Sequence, residues 1–427
     1  MIDTEKDNKK LVERAILIGV QELGVSTDEC DEHMKELKEL VKTMGVPVID
    51  DLTIKMRKPS SRFFLGSGKA EEINDLVKRQ SADCLIFDCD LSPSQQRNWE
   101  KLTKICVIDR QEVILDIFAG RASTREAVLQ VELARMQYSL PRLTRAWTHL
   151  SRQQGGAKGT RGEGEKQIEV DRRLVQKKIT QLRKELEVVV KQRLTQRKKR
   201  ERNAIPHAAI VGYTNAGKSS LLNVLSGSDV LVEDKLFATL DPTTRRITLP
   251  NGNDMLLTDT VGFVRKLPHT LVQAFKSTLE EAVLADFIIL VLDASNPYME
   301  DHRCTTLAVL EELGAEDREI VTVINKVDLL ENDIIKSCLQ AKYTDSGFIS
   351  TITGEGCDEF KTILEKITEE SNERIQLAIP PARHDIIAQI HKAGRVVTIK
   401  YEEDGTAAVT AVISKANQSP FLPFILA

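Results

Sequence analysis

The apolar run Ala208-Ala209-Ile210-Val211 leads directly into Gly212-Tyr213-Thr214-Asn215-Ala216-Gly217-Lys218-Ser219. The run reads as a buried strand, and few folds let a strand end in Gly-x-x-x-x-Gly-Lys-Ser. The glycines relax the loop enough for its backbone N–H groups to converge on one anion. The helix opening at Lys218-Ser219-Ser220-Leu221-Leu222 adds the positive end of its dipole there. The pattern implies a phosphate-binding loop, with Lys218 reaching the β- and γ-phosphates of a nucleotide and the Ser219 hydroxyl ligating Mg2+.

Later segments decide which nucleotide. Asp259-Thr260-Val261-Gly262 follows the strand Met255-Leu256-Leu257, giving the Asp-x-x-Gly of a P-loop GTPase. There Asp259 positions Mg2+ and the Gly262 N–H senses the γ-phosphate. Asn325-Lys326-Val327-Asp328 ends the strand Val321 to Ile324. A carboxylate at Asp328 accepts from guanine N1–H and the exocyclic amine together, a donor pair adenine lacks. Asn325 supports that loop and the Lys326 stem lies over the base. The predicted site is therefore a GTP/GDP site with Mg2+ held by Ser219, Thr239 and Asp259. Lys218, Thr239 and Gly262 are its catalytic groups. The first switch lies in Leu231 to Arg245, where Phe237-Ala238-Thr239-Leu240-Asp241-Pro242-Thr243 offers several hydroxyls, with Thr239 the chosen ligand and Thr243 the other candidate. Phe263 stands where Ras-like GTPases carry the glutamine that orients the attacking water, so hydrolysis should be slow without a partner. His269 is a possible helper, though its place beside a helix start reads as structural.

The chain of 427 residues has room for several cores, and its 41% hydrophobic and 29% charged residues are ordinary for a globular protein. Charge is unevenly spread. Between Arg172 and Arg202 stand 13 basic and 3 acidic residues, in a chain whose net charge is -4. One part of the molecule is thus expected to meet a polyanion. The seven cysteines are scattered without zinc-ligand spacing and read as buried reduced thiols. The first residues are charged and lack the apolar core of a signal peptide. The longest apolar run, Phe287 to Leu292, is too short to span a bilayer, so a cytoplasmic location is expected.

Four domains are expected in an α/β multidomain chain. Residues 1–122 alternate strands and helices, as in a parallel α/β domain. Within them Gly66-Ser67-Gly68-Lys69 reads as a helix entrance and not a second phosphate loop, since the spacing is short and Ala70 replaces the hydroxyl. Residues 123–203 carry two apolar stripes, Leu129 to Leu150 and Val175 to Val189, implying a long antiparallel helical hairpin with Pro141 kinking or splitting the first arm. Each arm of roughly 30 residues would be about 45 Å long. The tip, Gly155 to Glu165, holds five glycines with Lys158 and Arg161. It suits either entry into a narrow anionic cleft or a plain linker. Arg197 to Arg200 reads as a solvated helix end. Residues 204–371 form a Ras-like P-loop GTPase domain, and 372–427 a small α/β appendage.

With these residues in view, the chain resembles the HflX family of ribosome-associated GTPases, in the Obg-HflX group. The resemblance spans nearly the whole chain. It rests on Phe64-Leu65-Gly66-Ser67-Gly68-Lys69, Val107-Ile108-Asp109-Arg110, Leu115-Asp116-Ile117-Phe118-Ala119 and Gln130-Val131-Glu132-Leu133-Ala134. Arg161-Gly162-Glu163-Gly164-Glu165, Asp171-Arg172-Arg173, Phe237 to Thr243 and Asp259 to Phe263 continue it. The resemblance implies GTP-dependent binding to the large (50S) ribosomal subunit and its rRNA, stimulation of hydrolysis there, and release of stalled or idle ribosomes by subunit separation. It places the N-terminal domain and hairpin on rRNA, with the glycine loop toward the peptidyl-transferase region, and implies a monomer off the ribosome. A GTP-gated ribosome assembly factor, or an RNA-remodelling ATPase acting through the N-terminal domain, are the alternatives. The resemblance also implies that Ser350 and Thr351 complete the base pocket, the Thr351 backbone N–H meeting guanine O6; Thr351 departs from the family's usual alanine and would crowd the base.

Overall fold

The computed structural model describes residues 12–143, 161–200, 205–227, 236–237, 240–266, 281–330, 332–370, 372–402, 404–414 and 418–426. The chain groups into two compact units. One comprises Met1–Lys184, Asp234–Ala238 and Leu267–Ala274, and the other Glu185–Glu233, Thr239–Lys266 and Phe275–Ala427. Where the sequence suggests four consecutive domains, the second hairpin helix runs through the boundary at Lys184, so the hairpin is not a compact body by itself.

In the first unit, β1 (Ala15–Gln21), β2 (Val48–Lys55), β3 (Cys84–Phe87) and β4 (Cys106–Asp109) form a parallel sheet in the order β2-β1-β3-β4. Between them run α1 (Thr27–Met44), α2 (Ser67–Gln80) and α3 (Pro93–Thr103), with α4 (Arg110–Arg121) after β4. Central β1 and β3 are buried along nearly their whole length, whereas edge strand β2 alternates half-buried and exposed residues. That is the pattern of a sheet covered on both faces. Local chemistry sets the helix ends. Ser26 caps α1 and left-handed Gly45 stops it; Ser92 and Gln95 make a reciprocal capping box with Pro93 at the first position of α3. Trp99 of α3 is fully buried against Phe63 and Phe87, ring centroids 5.3 and 5.1 Å away, and its Nε1 donates to the Phe63 carbonyl at 2.8 Å. Truncating it to alanine would cost about 3–5 kcal/mol.

The Val107–Arg110 string has a structural task. Asp109 caps α4 by accepting from Glu112 N at 3.0 Å, and it also accepts from Tyr138 Oη at 2.9 Å and Arg142 Nη2 at 3.1 Å. Arg110, 2% exposed, pairs with Asp88 at 2.7 Å and Glu36 at 3.0 Å. A buried guanidinium is tolerated only with such partners. Lys69 pairs with Glu72 at 2.6 Å in the first turn of α2, which starts at Ser67, so the Gly66–Lys69 segment is a helix entrance.

α5 (Arg125–Ser139) ends just before Pro141, as a ring lacking an N–H requires. α6 (Arg161–Arg200) meets it through Lys178–Glu132 at 3.1 Å, with Leu129 and Leu133 of α5 and Ile179 and Leu182 of α6 buried. Arg161 to Glu165, expected in the tip loop, belong to α6. Trp147, Leu150 and residues 155–160 lie outside the described residues.

The second unit holds a six-stranded sheet in the order β10-β9-β8-β5-β7-β6. Its strands are β5 (His207–Gly212), β6 (Thr243–Thr248), β7 (Asp254–Asp259), β8 (Phe287–Asp293), β9 (Glu319–Asn325) and β10 (Gly347–Phe348). All pairings are parallel except β6 with β7. That hairpin turns at Asn251-Gly252-Asn253, where Gly252 takes φ +78°. The helices described are α7 (Lys218–Ser226), α8 (Met299–Leu313), α9 (Asp333–Lys342) and α10 (Cys357–Glu370). Sequence periodicity misses α9 because it buries no residue. A three-stranded antiparallel sheet follows, β11 (Asn372–Ile379), β13 (Ala407–Ser414) and β12 (Gly394–Tyr401) in that order, carrying α11 (Asp385–Ala393). Pro380-Pro381 follows the last residue of β11 within this small fold. Among the described residues no helix is long and apolar enough to cross a membrane.

Candidate functional site

Every predicted loop of the second unit hangs from the carboxyl edge of one parallel sheet. β5 ends at Gly212, β7 at Asp259, β8 at Asp293, β9 at Asn325 and β10 at Phe348. Ligand crevices of open α/β sheets form along that edge. The central strands deliver the loops because they are dry: Ala208 to Val211 and Ile288 to Leu292 are essentially inaccessible.

The phosphate loop is braced from inside. Lys218, 6% exposed, donates from Nζ to the Tyr213 carbonyl at 2.7 Å. Burial pulls its ammonium down to about 8, with the Asp259 carboxylate opposing the shift. Thr214 Oγ1 is buried without a hydrogen-bond partner among the described residues, while Thr214 N donates to the Phe263 carbonyl at 2.8 Å. Asn215 stands exposed at the tip with φ +61°. Gly217 takes φ +96°, and a Cβ there would lie 2.1 Å from Asn325 Nδ2. A desolvated cation and an unsatisfied hydroxyl under a helix start fit a phosphate chain.

Ser219 Oγ donates to Asp259 Oδ2 at 2.6 Å, so two of the three oxygen donors predicted for Mg2+ are side by side. Among the described residues no three His, Cys, Asp or Glu side chains gather as a metal site. A hydroxyl plus one carboxylate is the sparse donor set that suits Mg2+ completed by phosphate and water. Thr260 turns inward, donating to the Ile210 carbonyl at 2.7 Å, and Val261 is buried, so these two support the loop with their side chains. A Cβ on Gly262 would sit 2.9 Å from Lys218 Nζ, hence the close backbone approach needs glycine. Phe263 is 1% exposed; its N–H donates to the Gly212 carbonyl at 3.0 Å. Its ring is core, not a group facing the phosphates.

At the base-reading side, fully buried Asn325 donates from Nδ2 to the Ala216 carbonyl at 2.9 Å and accepts from Thr351 N at 3.1 Å. One carboxamide thereby joins the phosphate loop, the Asn-Lys-Val-Asp turn and the Ser350 loop. Lys326, at φ +64°, pairs with Asp293 at 2.6 Å, and Val327 is buried. Asp328 is exposed at the mouth of the turn Val327–Leu329. Ser350 Oγ accepts from Thr353 N at 3.1 Å and shapes its own loop. The Thr351 amide, expected at guanine O6, is held by Asn325.

The switch segment is only partly described. Ala238, Thr239 and His269 lie outside the described residues; Leu240 is buried and Asp241 half-buried. Thr243 starts β6 opposite Asp259. Phe237 belongs to the first unit, where its ring meets Phe118 edge-on at 4.5 Å. Its side chain therefore serves that core. Sequence reasoning missed Asp293, although it ends a strand at the sheet's carboxyl edge. It also missed the stack of Tyr213 on His302, centroids 3.6 Å apart, with Tyr213 Oη accepting from Arg265 N at 2.8 Å. No sequence signal pairs those residues.

Comparison with known proteins supplies the family. Residues 31–119 match the GTP-binding GTPase N-terminal family, 121–200 the GTP-binding GTPase middle region, and 207–326 the family described as 50S ribosome-binding GTPase. The GTPase HflX of Akkermansia muciniphila is 51% identical over 412 residues, covering 94% of each chain. That of Chlamydia pneumoniae is 44% identical, covering 96% of this chain and 88% of its own. A crystal structure titled as an SsGBP and GDP complex is 25% identical, with TM-score 0.46, covering 84% of this chain and 99% of that one. With 51% and 44% identity to GTPase HflX proteins over nearly its whole length and a matching GTPase family model, the chain is a GTP-hydrolysing enzyme and belongs to the HflX GTPase family.

Proposed function

We propose that this GTPase works on the large ribosomal subunit and its rRNA, and uses the GTP cycle to split or rescue stalled or idle ribosomes. The observation that supports this most is Phe263. At the position that should order the attacking water stands a ring buried in the core, on a residue whose backbone is hydrogen-bonded to the phosphate loop. Hydrolysis then depends on a group from elsewhere, as GTPases with a supplied catalytic group do. The description of the family matching residues 207–326 names a 50S partner, and the basic segment from Arg172 to Arg202 supplies a surface for RNA phosphates.

In this reading Lys218 and the loop amides hold the β- and γ-phosphates, and Ser219, Asp259 and Thr239 hold Mg2+. The ion supplies charge compensation on the phosphates. Gly262 N–H reads the γ-phosphate, and Asp328 selects guanine with Asn325, Lys326, Ser350 and Thr351 shaping its pocket. Gly212 to Ser219, Thr239 to Asp241, Thr260, Val261 and Val327 line or support the nucleotide.

GTP turnover measured with and without large subunits tests the dependence; equal rates would overturn it. Light scattering of intact ribosomes after adding protein and GTP tests splitting. Binding and stimulated turnover without dissociation would favour the assembly-factor reading. The N-terminal ATPase reading has little to stand on, since Lys69 is paired with Glu72 in an ordinary first helical turn.

A further inference from the structure

The seven cysteines read from sequence as uniformly buried thiols, but in the fold three of them, Cys106, Cys304 and Cys338, are exposed. Cys106 differs from the other two in its neighbour. It opens β4, the edge strand of the first unit's sheet, and its register partner on β3 is buried Cys84. Register partners on parallel strands point to the same face. Adjacent strands lie about 4.8 Å apart, inside the roughly 4.4–6.8 Å Cα separation that a disulfide spans. We propose that Cys106 and Cys84 form a hydroperoxide-reactive thiol pair, with Cys106 the attacking sulfur at the surface and Cys84 the resolving sulfur beneath it.

The local chemistry divides the roles. A hydrogen bond from Cys84 holds the Cys106 thiol below its ordinary value, outweighing burial and the nearby Glu112 and Glu100 carboxylates. The same bond, together with burial, drives Cys84 up and keeps it protonated. The other groups facing the pair, Asp83 and Glu112, raise Cys84 further. An exposed thiol whose ionisation is favoured, beside a buried thiol whose ionisation is opposed, is the arrangement of a reactive and a resolving cysteine. In the first step the Cys106 sulfur attacks the distal peroxide oxygen. The O–O bond breaks, water or an alcohol leaves, and Cys106 becomes a sulfenic acid. In the second step the Cys84 sulfur attacks Cys106. The S–S bond forms, the S–O bond breaks, and the Cys84 proton leaves with the hydroxide as water. Two thiols are oxidised by two electrons and one hydroperoxide is reduced; a cellular dithiol reverses the bond by exchange.

The full-length chain carries its own controls in Cys304 and Cys338. Hydrogen peroxide is added to the reduced protein, and peptides are quantified by mass spectrometry without reduction. The expected first product is an intrachain Cys84–Cys106 disulfide, formed at least about tenfold faster than either control cysteine is oxidised, as thiolate character dictates, and reversed by dithiothreitol. Cys84→Ser should accumulate a sulfenic acid at Cys106 that dimedone traps. Cys106→Ser, a change at an exposed position, should leave Cys84 reduced. Oxidation of Cys106 no faster than of Cys304 and Cys338 would overturn the proposal, and so would chain-to-chain disulfides or over-oxidised Cys106 as the main product in the parent protein.

Discussion

Replacing Asn325 with alanine should disconnect the three loops that converge on the nucleotide. The side chain is fully buried and makes two hydrogen bonds, to the Ala216 carbonyl at 2.9 Å and from Thr351 N at 3.1 Å. Alanine removes both and leaves the partners unmet. The Ala216 carbonyl belongs to a residue 2% exposed, so its loss costs about 1–3 kcal/mol; the Thr351 amide, on a half-buried residue, costs less. Together about 2–4 kcal/mol is at stake. Falling wholly on the nucleotide-bound state, that weakens GDP binding by about 30- to 1,000-fold. The assay is equilibrium titration with a fluorescent GDP analogue, paired with urea unfolding to measure how much of the cost falls on stability. A folded variant that binds GDP within threefold of the parent, with unchanged unfolding, would refute the claim that this carboxamide braces the site.

Gly217→Ala should also weaken GDP, since a Cβ at φ +96° would meet Asn325 Nδ2 at 2.1 Å. Adding it to Asn325→Ala should cost less than adding it to the parent, and strictly additive losses in the titration would show the two do not meet. Asp328→Asn should exchange guanine for xanthine preference, read by competition between GDP and xanthosine diphosphate; retained guanine preference would show the base site lies elsewhere. Glu112 is pushed up to about 7 by burial and by Asp109, against the Tyr138 hydrogen bond. A carboxyl raised when folded supports the fold below its unfolded value of 4.5, and that support is lost as pH rises through about 7. Glu112→Gln should therefore gain stability over the parent at pH 8, by up to about 3 kcal/mol, and little at pH 5. Urea melts followed by Trp99 fluorescence check this, and parallel pH dependences would contradict it.

Much of the fold was legible because its signals are local. Buried-strand runs such as Phe287–Asp293 and the caps at Ser26 and Ser92 depend on neighbours in sequence. What escaped was nonlocal or weakly patterned. β11 pairs with β13 across 28 to 42 positions, its register running Asn372↔Ser414 to Ile379↔Ala407, a partnership no local pattern encodes. The glycine-rich string Arg161 to Glu165 looked like loop yet lies in α6, because helix propensity is a weak prior that context overrides.

The sequence by itself pointed to the chemistry of the proposed nucleotide site. Gly212 to Ser219, Asp259 to Gly262 and Asn325 to Asp328 carry the needed groups at fixed spacing, each behind a strand. It also marked Phe263 as unable to order water, since that follows from what an aromatic ring lacks. Only the tertiary structure decided how those strings cooperate. Asn325 reaches across 109 positions to Ala216, Asp293 holds Lys326, and Tyr213 stacks on His302 while binding Arg265. It also turned the Asp109-Arg110 string from a family signature into a buried ion network, and set Cys84 against Cys106. The reason is physical: composition and spacing fix what a residue can do, whereas its partners are fixed by strand order and register.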